Sequence, residues 1–219
     1  MKITAVILHY WLERTDNIKV IVDALKKGSV RPDKIIVFNN NLEGKCPKIK
    51  GVSMIDSSVN YGGRARYPIA LLEPSDYYFF IDDDTCPQSK TLENFLQHAT
   101  RGCCLGYLGK KTTSSYTDGK NYWGDKVNKP KKVDLLVGHG SMFVSFEALL
   151  KGFLTDRKLL DKDYGFGREE DIVLSMSNDS LVIPAGKDEY LTRLPDDGGY
   201  CRVSSHNDLR NKMVERLKQ

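Results

Sequence analysis

The 219-residue sequence predicts an α/β fold, with a Rossmann-like, mostly parallel sheet in its front half and a more irregular back half. Three observations lead there. Apolar strand-forming runs alternate with amphipathic stretches over the first ~105 residues, as βαβ units do. The run Tyr77-Tyr78-Phe79-Phe80-Ile81 is apolar or aromatic throughout, which suits a central strand buried on both faces. Past Leu105 the alternation gives way to a Lys-, Gly- and Asn-rich stretch.

Ile3 to Leu8 reads as the first strand. Asp16 suits an N-cap, followed by Ile18, Ile21, Val22 and Leu25 at helical spacing. Lys26, Lys27 and Gly28 supply a basic last turn and a glycine stop. Lys34 to Phe38 is a second strand that runs into Asn39-Asn40-Asn41. Val52 to Ile55 is a short third strand, and a helix follows over roughly 63–72. After the Tyr77 strand, Pro87 opens a helix with Leu92, Phe95, Leu96 and Ala99 on one face. Residues 110–132, with Tyr116, Tyr122 and Trp123, read as a long loop or hairpin. Two strands, at about 133–137 and 141–145, flank Gly138-His139-Gly140. A helix starts near Glu169, and a last one covers about 206–218 with Leu209, Met213 and Leu217 aligned. There is no internal repeat or low-complexity segment, so one domain is expected, with halves at 1–105 and 106–219. The abrupt finish leaves open that the chain is a segment of a longer multidomain protein.

With 40% hydrophobic and 28% charged residues, the chain can bury a sizeable core. A net charge of +4 is too small to imply a nucleic-acid binder but suits an anionic small molecule. The five cysteines (Cys46, Cys86, Cys103, Cys104, Cys201) are odd in number and lack CxxC spacing. Neither a zinc site nor a disulfide framework is indicated, and a reducing compartment is expected. Met1-Lys2-Ile3-Thr4 leads into a strand and not a signal peptide. No apolar run approaches the ~20 residues of a membrane helix. A soluble, cytoplasmic protein without a membrane segment is the expectation.

Asp82-Asp83-Asp84 follow the apolar run directly. Three adjacent carboxylates repel one another and resist desolvation, so a buried strand end that carries them needs positive charge. Hard divalent cations such as Mg²⁺ or Mn²⁺ take oxygen ligands of this kind. The carboxyl ends of strands in open α/β sheets are also where ligands bind. A solvated acidic turn is the plain alternative. Asn39-Asn40-Asn41 occupy the same architectural position, where amides match the donors and acceptors of a base or ribose, or simply turn the chain.

Asn60-Tyr61-Gly62-Gly63-Arg64-Ala65-Arg66 sets two arginines behind a glycine pair at a helix start. Glycines allow close backbone approach and arginine binds phosphate bidentately, which points to a diphosphate, with ordinary surface arginines as the alternative. Glu169-Glu170-Asp171, after Gly165-Phe166-Gly167-Arg168, fill the first turn of a helix, where acids complement the dipole. The glycine-rich approach also aims Glu170 and Asp171 at a cleft as candidate catalytic carboxylates. His206 and His139 are ligand candidates or ordinary surface residues. His9-Tyr10-Trp11 ends strand one as an aromatic wall for a base, or packs.

Taken in order, these elements resemble the GT-A glycosyltransferases, especially the family-2-like inverting group, over residues 3–180. The resemblance rests on the two strand ends, on Asn60-Tyr61-Gly62-Gly63-Arg64-Ala65-Arg66 and on Asp82-Asp83-Asp84 as the DxD-type motif. It continues with Gly138-His139-Gly140-Ser141-Met142-Phe143 and with Glu170-Asp171, Leu174 standing three residues on. The chain departs from the family at Asn39-Asn40, where an Asp is common, and at Ala65-Arg66-Tyr67, where the family has Ala-Arg-Asn. Within the group it looks most like the small N-terminal glycosyltransferase domain of large algal (chlorella) virus capsid-glycosylating enzymes, which would place it in the host cytoplasm.

The resemblance implies a GT-A fold and sugar transfer from a nucleotide sugar, a UDP-sugar such as UDP-glucose, to a glycan or glycoprotein acceptor, with inversion. It implies nucleotide-sugar contacts from His9, Tyr10, Asn39, Asn40, Asn60, Gly63, Arg64, Arg66, Asp82, Asp83, Gly138 and His139. It implies Mn²⁺ or Mg²⁺ on Asp84, Asp82 and His206, and a proton acceptor in Asp171 or Glu170. Residues 110–132 become an acceptor wall or lid. Two other readings compete. One is a nucleotide-sugar-binding domain without turnover. The other is a haloacid-dehalogenase-like phosphatase, although there a Thr lies two beyond the second Asp, where this chain has Cys86.

Overall fold

A computed structural model describes residues 1–137, 141–160, 169–195 and 206–218. In chain order the front half holds β1 (Ile3–His9), α1 (Thr15–Lys27), β2 (Lys34–Asn39), β3 (Ser53–Asp56), α2 (Arg66–Leu71), β4 (Tyr77–Asp82), β5 (Thr85–Pro87), α3 (Thr91–His98) and β6 (Cys103–Gly106). The back half holds β7 (Leu108–Lys111), β8 (Lys120–Trp123), β9 (Lys131–Val133), β10 (Leu135–Leu136), β11 (Ser141–Ser145), α4 (Phe146–Leu160), α5 (Glu170–Met176), β12 (Asp179–Val182), β13 (Leu191–Arg193) and α6 (His206–Leu217). No helix among the described residues is long and apolar enough to cross a membrane.

One eight-stranded sheet runs β3-β2-β1-β4-β11-β6-β12-β9. Its first four strands are parallel, and β11 is antiparallel to both neighbours. Sheet order turns back at β1, between β2 and β4, which makes the β1–β4 carboxyl ends a topological switch point. Their register pairs Leu8 with Asp82, so His9, Tyr10 and the three aspartates emerge together.

Both faces of the central strands are covered, as their unbroken apolar runs require. Phe79 and Ile81 join Ile18, Ile21, Leu92, Phe95 and Phe143 on one face. Tyr78 and Phe80 join Tyr67, Met142, Leu149 and Leu174 on the other. Phe95 stacks on Phe143 at 5.4 Å and on Tyr107 at 4.6 Å.

Several boundaries differ from the sequence reading. Helix α1 begins at Thr15, so Asp16 lies in its first turn and not at the cap, because a 3-10 turn over Leu12–Arg14 precedes it. Pro87 ends strand β5, paired with Leu191, and α3 begins only at Thr91. The helix expected over 63–72 is a 3-10 turn at Gly63–Ala65 followed by α2. The strand expected at 133–137 divides into β9 and β10, which belong to different sheets. Residues 110–132 contain the β7–β8 hairpin. The sequence reading does not single out strands β6, β12 and β13, which are only three or four residues long, or helix α4.

Candidate active site

The three aspartates at the end of β4 point three ways. Asp83 turns inward and is 3% exposed. Its carboxylate accepts from the Arg14 guanidinium at 2.9 Å and the Tyr10 N–H at 3.1 Å, and pairs with His9 Nδ1 at 2.8 Å. Burial pushes the Asp83 carboxyl up, but these hydrogen bonds outweigh it and hold it below the usual carboxylate range. The other His9 nitrogen lies 3.3 Å from the Thr15 hydroxyl, so both ring nitrogens face protein groups. Asp84 accepts from the Thr85 hydroxyl at 2.9 Å, with Arg14 at 3.4 Å and Arg193 at 3.7 Å from its other oxygen. Asp82 accepts from Arg66. Burial is the largest influence on Asp82 and, with Asp83 and Asp84 nearby, leaves its carboxyl raised despite Arg66.

Arg66 links this strand end to the head of α5. Its guanidinium pairs with Asp82 on one side and with Glu170 Oε1, at 3.3 Å, on the other. Glu170 is drawn close by Gly63, where a Cβ would overlap its carboxyl group. Tyr67, buried behind, donates its hydroxyl to the Glu170 carbonyl. Burial pushes the Glu170 carboxyl up to about 7 against the pull of Arg66, with Asp171 adding to the rise.

That shift sets a sign for pH dependence. Between about 4.5 and 7 the folded chain keeps a proton that an unfolded glutamate has lost. This group's contribution is therefore full below about 4.5 and is lost as pH rises through about 7. The slope is at most about 1.4 kcal/mol per pH unit. Urea unfolding at pH 5 and pH 8 is expected to show a larger loss in wild type than in Glu170→Gln. Equal losses would remove Glu170 as the source.

Asp171 belongs to a different neighbourhood. Its Oδ2 accepts from Arg210 of α6 at 2.6 Å, and its Oδ1 accepts from the Ile172 N–H at 2.9 Å. Arg210 is buried, and its guanidinium stacks 4.4 Å over the Tyr116 ring. His206, one turn earlier on α6, meets the same ring edge-on at 6.4 Å. Thr117 donates to Asn211 at 3.0 Å, and Lys218 to the Thr113 carbonyl at 2.8 Å, so α6 is stitched to the loop over 112–118.

The asparagines build the rim. Asn39 donates to the Gly44 carbonyl and to Asp56, at 2.6 and 2.9 Å. Asn40 donates to the Asn60 side chain at 2.7 Å and accepts from the Tyr61 N–H at 2.8 Å, which pins the loop before Gly63. Arg64 is directed away from the strand end, into a buried pair with Asp156 of α4 at 2.8 Å. Tyr10 stands edge-on to Trp11 at 5.2 Å. Gly138 and His139 lie outside the described residues.

Beside Thr85, a cavity of about 160 Å³ is walled by Tyr107, Leu108, Trp123 and Tyr190, with Arg193 among its lining residues. The sequence reading did not single out Arg14, Arg193, Arg210 or Asp156. Each lies 39 or more residues from its partner, and no local pattern marks them.

Fitness for a cation follows from the donor set. Among the described residues no three His, Cys, Asp or Glu side chains gather as a metal cage. His206, against Tyr116, does not join Asp82 and Asp84 in one. Mg²⁺-type ions, however, use one or two carboxylates with phosphate oxygens and water. Asp82 and Asp84 supply two carboxylates of that kind at one strand end, each with an arginine beside it.

No family model and no curated protein matches the chain. Solved structures do. GalNAc-T7 with UDP, GalNAc and Mn²⁺ superposes with a TM-score of 0.67 at 13% identity, over 99% of this chain and 48% of that one. S. aureus TarS 1-349 with UDP-GlcNAc superposes with 0.56 at 14% identity, over 93% of this chain and 61% of that one. A second S. aureus TarS structure gives 0.52 at 15% identity, over 89% of this chain and 37% of that one. The chain thus spans less than two thirds of the length of each. At such identities the likeness concerns the fold alone, and the chain has the α/β GT-A fold of these glycosyltransferases.

Proposed function

We propose that this chain transfers a sugar from a UDP-sugar, such as UDP-glucose, to an acceptor hydroxyl in glycan or glycoprotein synthesis. The observation that carries the reading is the Arg66 bridge, which ties an acidic strand end at the sheet's switch point to the Glu170-Asp171 helix head. UDP with Mn²⁺ in the GalNAc-T7 structure, and UDP-GlcNAc in the TarS structure, support the donor class.

In this reading Asp82 and Asp84 would hold Mn²⁺ or Mg²⁺. The ion, when bound, supplies Lewis-acid neutralisation of charge on the leaving diphosphate. Arg66 adds to that stabilisation from the protein side. Asp83 positions the strand end through Arg14 and His9. Tyr10 borders the donor, while Asn39, Asn40 and Asn60 shape the loop that presents Gly63. Arg64 supports this loop through Asp156.

Asp171 is the proton acceptor. Glu170 is pressed against Gly63 and Arg66 on the donor side, which leaves it little room for a second substrate. Asp171 faces α6 and Tyr116, the side of the back-half loop. The acceptor oxygen attacks the anomeric carbon, its proton passes to Asp171, and the bond from that carbon to the diphosphate breaks. A single in-line displacement inverts the anomeric centre.

Melting of the chain with a panel of nucleotide sugars, with and without Mn²⁺, tests the donor. A UDP-sugar at 100 times its Kd should stabilise by about 2.7 kcal/mol. Asp84→Ala should lose the Mn²⁺-dependent part. UDP release separates transfer from a binding-only domain. No shift with any nucleotide sugar would overturn the reading.

A further inference from the structure

We propose that the acceptor is an anionic saccharide: its terminal ring enters the cavity between Trp123 and Tyr190, and its acidic groups meet Arg193 and Lys126. This rests on the transfer reading above and names its second substrate.

The cavity opens beside Thr85, the residue after Asp84, so its contents lie next to the acidic strand end. About 160 Å³ suits a single small ring and not an extended ligand. Trp123 and Tyr190 offer flat apolar faces, with an indole N–H and a hydroxyl at their edges, while Tyr107, stacked on Phe95 and bonded through its hydroxyl to Asn94, closes the cavity from within. A pyranose, apolar on the faces of its ring and polar at its rim, matches those walls.

Charge distinguishes an acidic saccharide from a neutral one. Residues 110–132 hold seven lysines against two aspartates, a surplus of five, while the whole chain carries +4. The positive surplus of the molecule is therefore concentrated in this one segment, and the rest is near neutral. Lys126 rides 5.8 Å over the Trp123 ring that walls the cavity. Arg193 lines the cavity with a 57% exposed side chain, 3.7 Å from Asp84. A bound anion gives Lys126 and Arg193 a further counter-charge beside the aromatic wall.

The test compares methyl glucoside, methyl glucuronide and the 6-phosphate of methyl glucoside as acceptors, with a UDP-sugar and Mn²⁺. At least a tenfold higher kcat/KM is expected for an anionic glycoside, with the carboxylate and phosphate arms identifying which acid is preferred. That advantage should shrink several-fold at 0.5 M salt. Lys126→Gln should raise KM for the anionic glycoside several-fold and leave KM for the neutral one in place. Trp123→Ala should weaken all three. Equal kcat/KM for neutral and anionic glycosides, or an anionic KM indifferent to the Lys126 replacement, overturns the proposal while UDP release continues. Absence of UDP release from every donor overturns the transfer reading, and the acceptor assignment falls with it.

Discussion

Asp171→Asn is expected to lower sugar transfer by about 10²–10⁴-fold, the range that a positioned general base contributes. The replacement keeps the size of the side chain and an oxygen for the Ile172 N–H, so the first turn of α5 should stay intact. An amide cannot take up the acceptor's proton; it also turns the buried Arg210 ion pair into a neutral hydrogen bond, so the ligand-free melting temperature is read beside the rate. Donor affinity, read as the melting shift with UDP-sugar and Mn²⁺, should remain near wild type because Asp82, Asp84 and Arg66 are untouched. Glu170→Gln should cost less in rate, since that carboxyl lies against Gly63 and Arg66. A wild-type rate for Asp171→Asn would remove the residue from the mechanism, and so would a product that keeps the donor's anomeric configuration.

Arg66→Met should cost about 3–5 kcal/mol of stability, the typical loss when one partner of a buried ion pair is removed. Methionine approximates the length and apolar stem of arginine but leaves Asp82 and Glu170 without the cation between them. Both carboxyls already sit above their ordinary range, chiefly through burial. Removing Arg66 raises them further, so the deficit should be larger at pH 8 than at pH 5, where protonation relieves the uncompensated charge. Urea unfolding at both pH values measures it. A loss below about 1 kcal/mol at pH 8 would mean that the pair behaves as a solvated surface bridge.

The acidic strand end was legible because Tyr77 to Ile81 admits no polar face. Such a run must lie between two packed layers, and whatever follows it emerges at the sheet's edge. The βαβ alternation likewise exposed the parallel front of the sheet. The counter-charges were not legible. Arg14, Arg66 and Arg210 reach their carboxylates across 69, 16 and 39 residues, and only the folded topology brings them together. Arg64 and Arg66 look alike in sequence, yet they face Asp156 and Asp82 in turn, Arg64 from within the 3-10 turn and Arg66 from the first position of α2. The Asp16 cap failed for a related reason. Arg14 is held on Asp83 and Asp84, and the tight turn that delivers it sets where α1 begins. Short strands such as Leu135–Leu136 have too few positions for any period to register.

Helix α6 gives the molecule an order in time. Asp171 receives its partner Arg210 from 39 residues further along the chain, and Met213 and Val214 pack on Ile172 and Val173 only once that helix exists. At 5–20 residues per second, synthesis of that interval takes about 2–8 s. Through that interval the head of α5 lacks its arginine, whatever the state of the β1–β4 strand ends. If Asp171 is the base, as proposed above, a chain in that state transfers no sugar until α6 has docked.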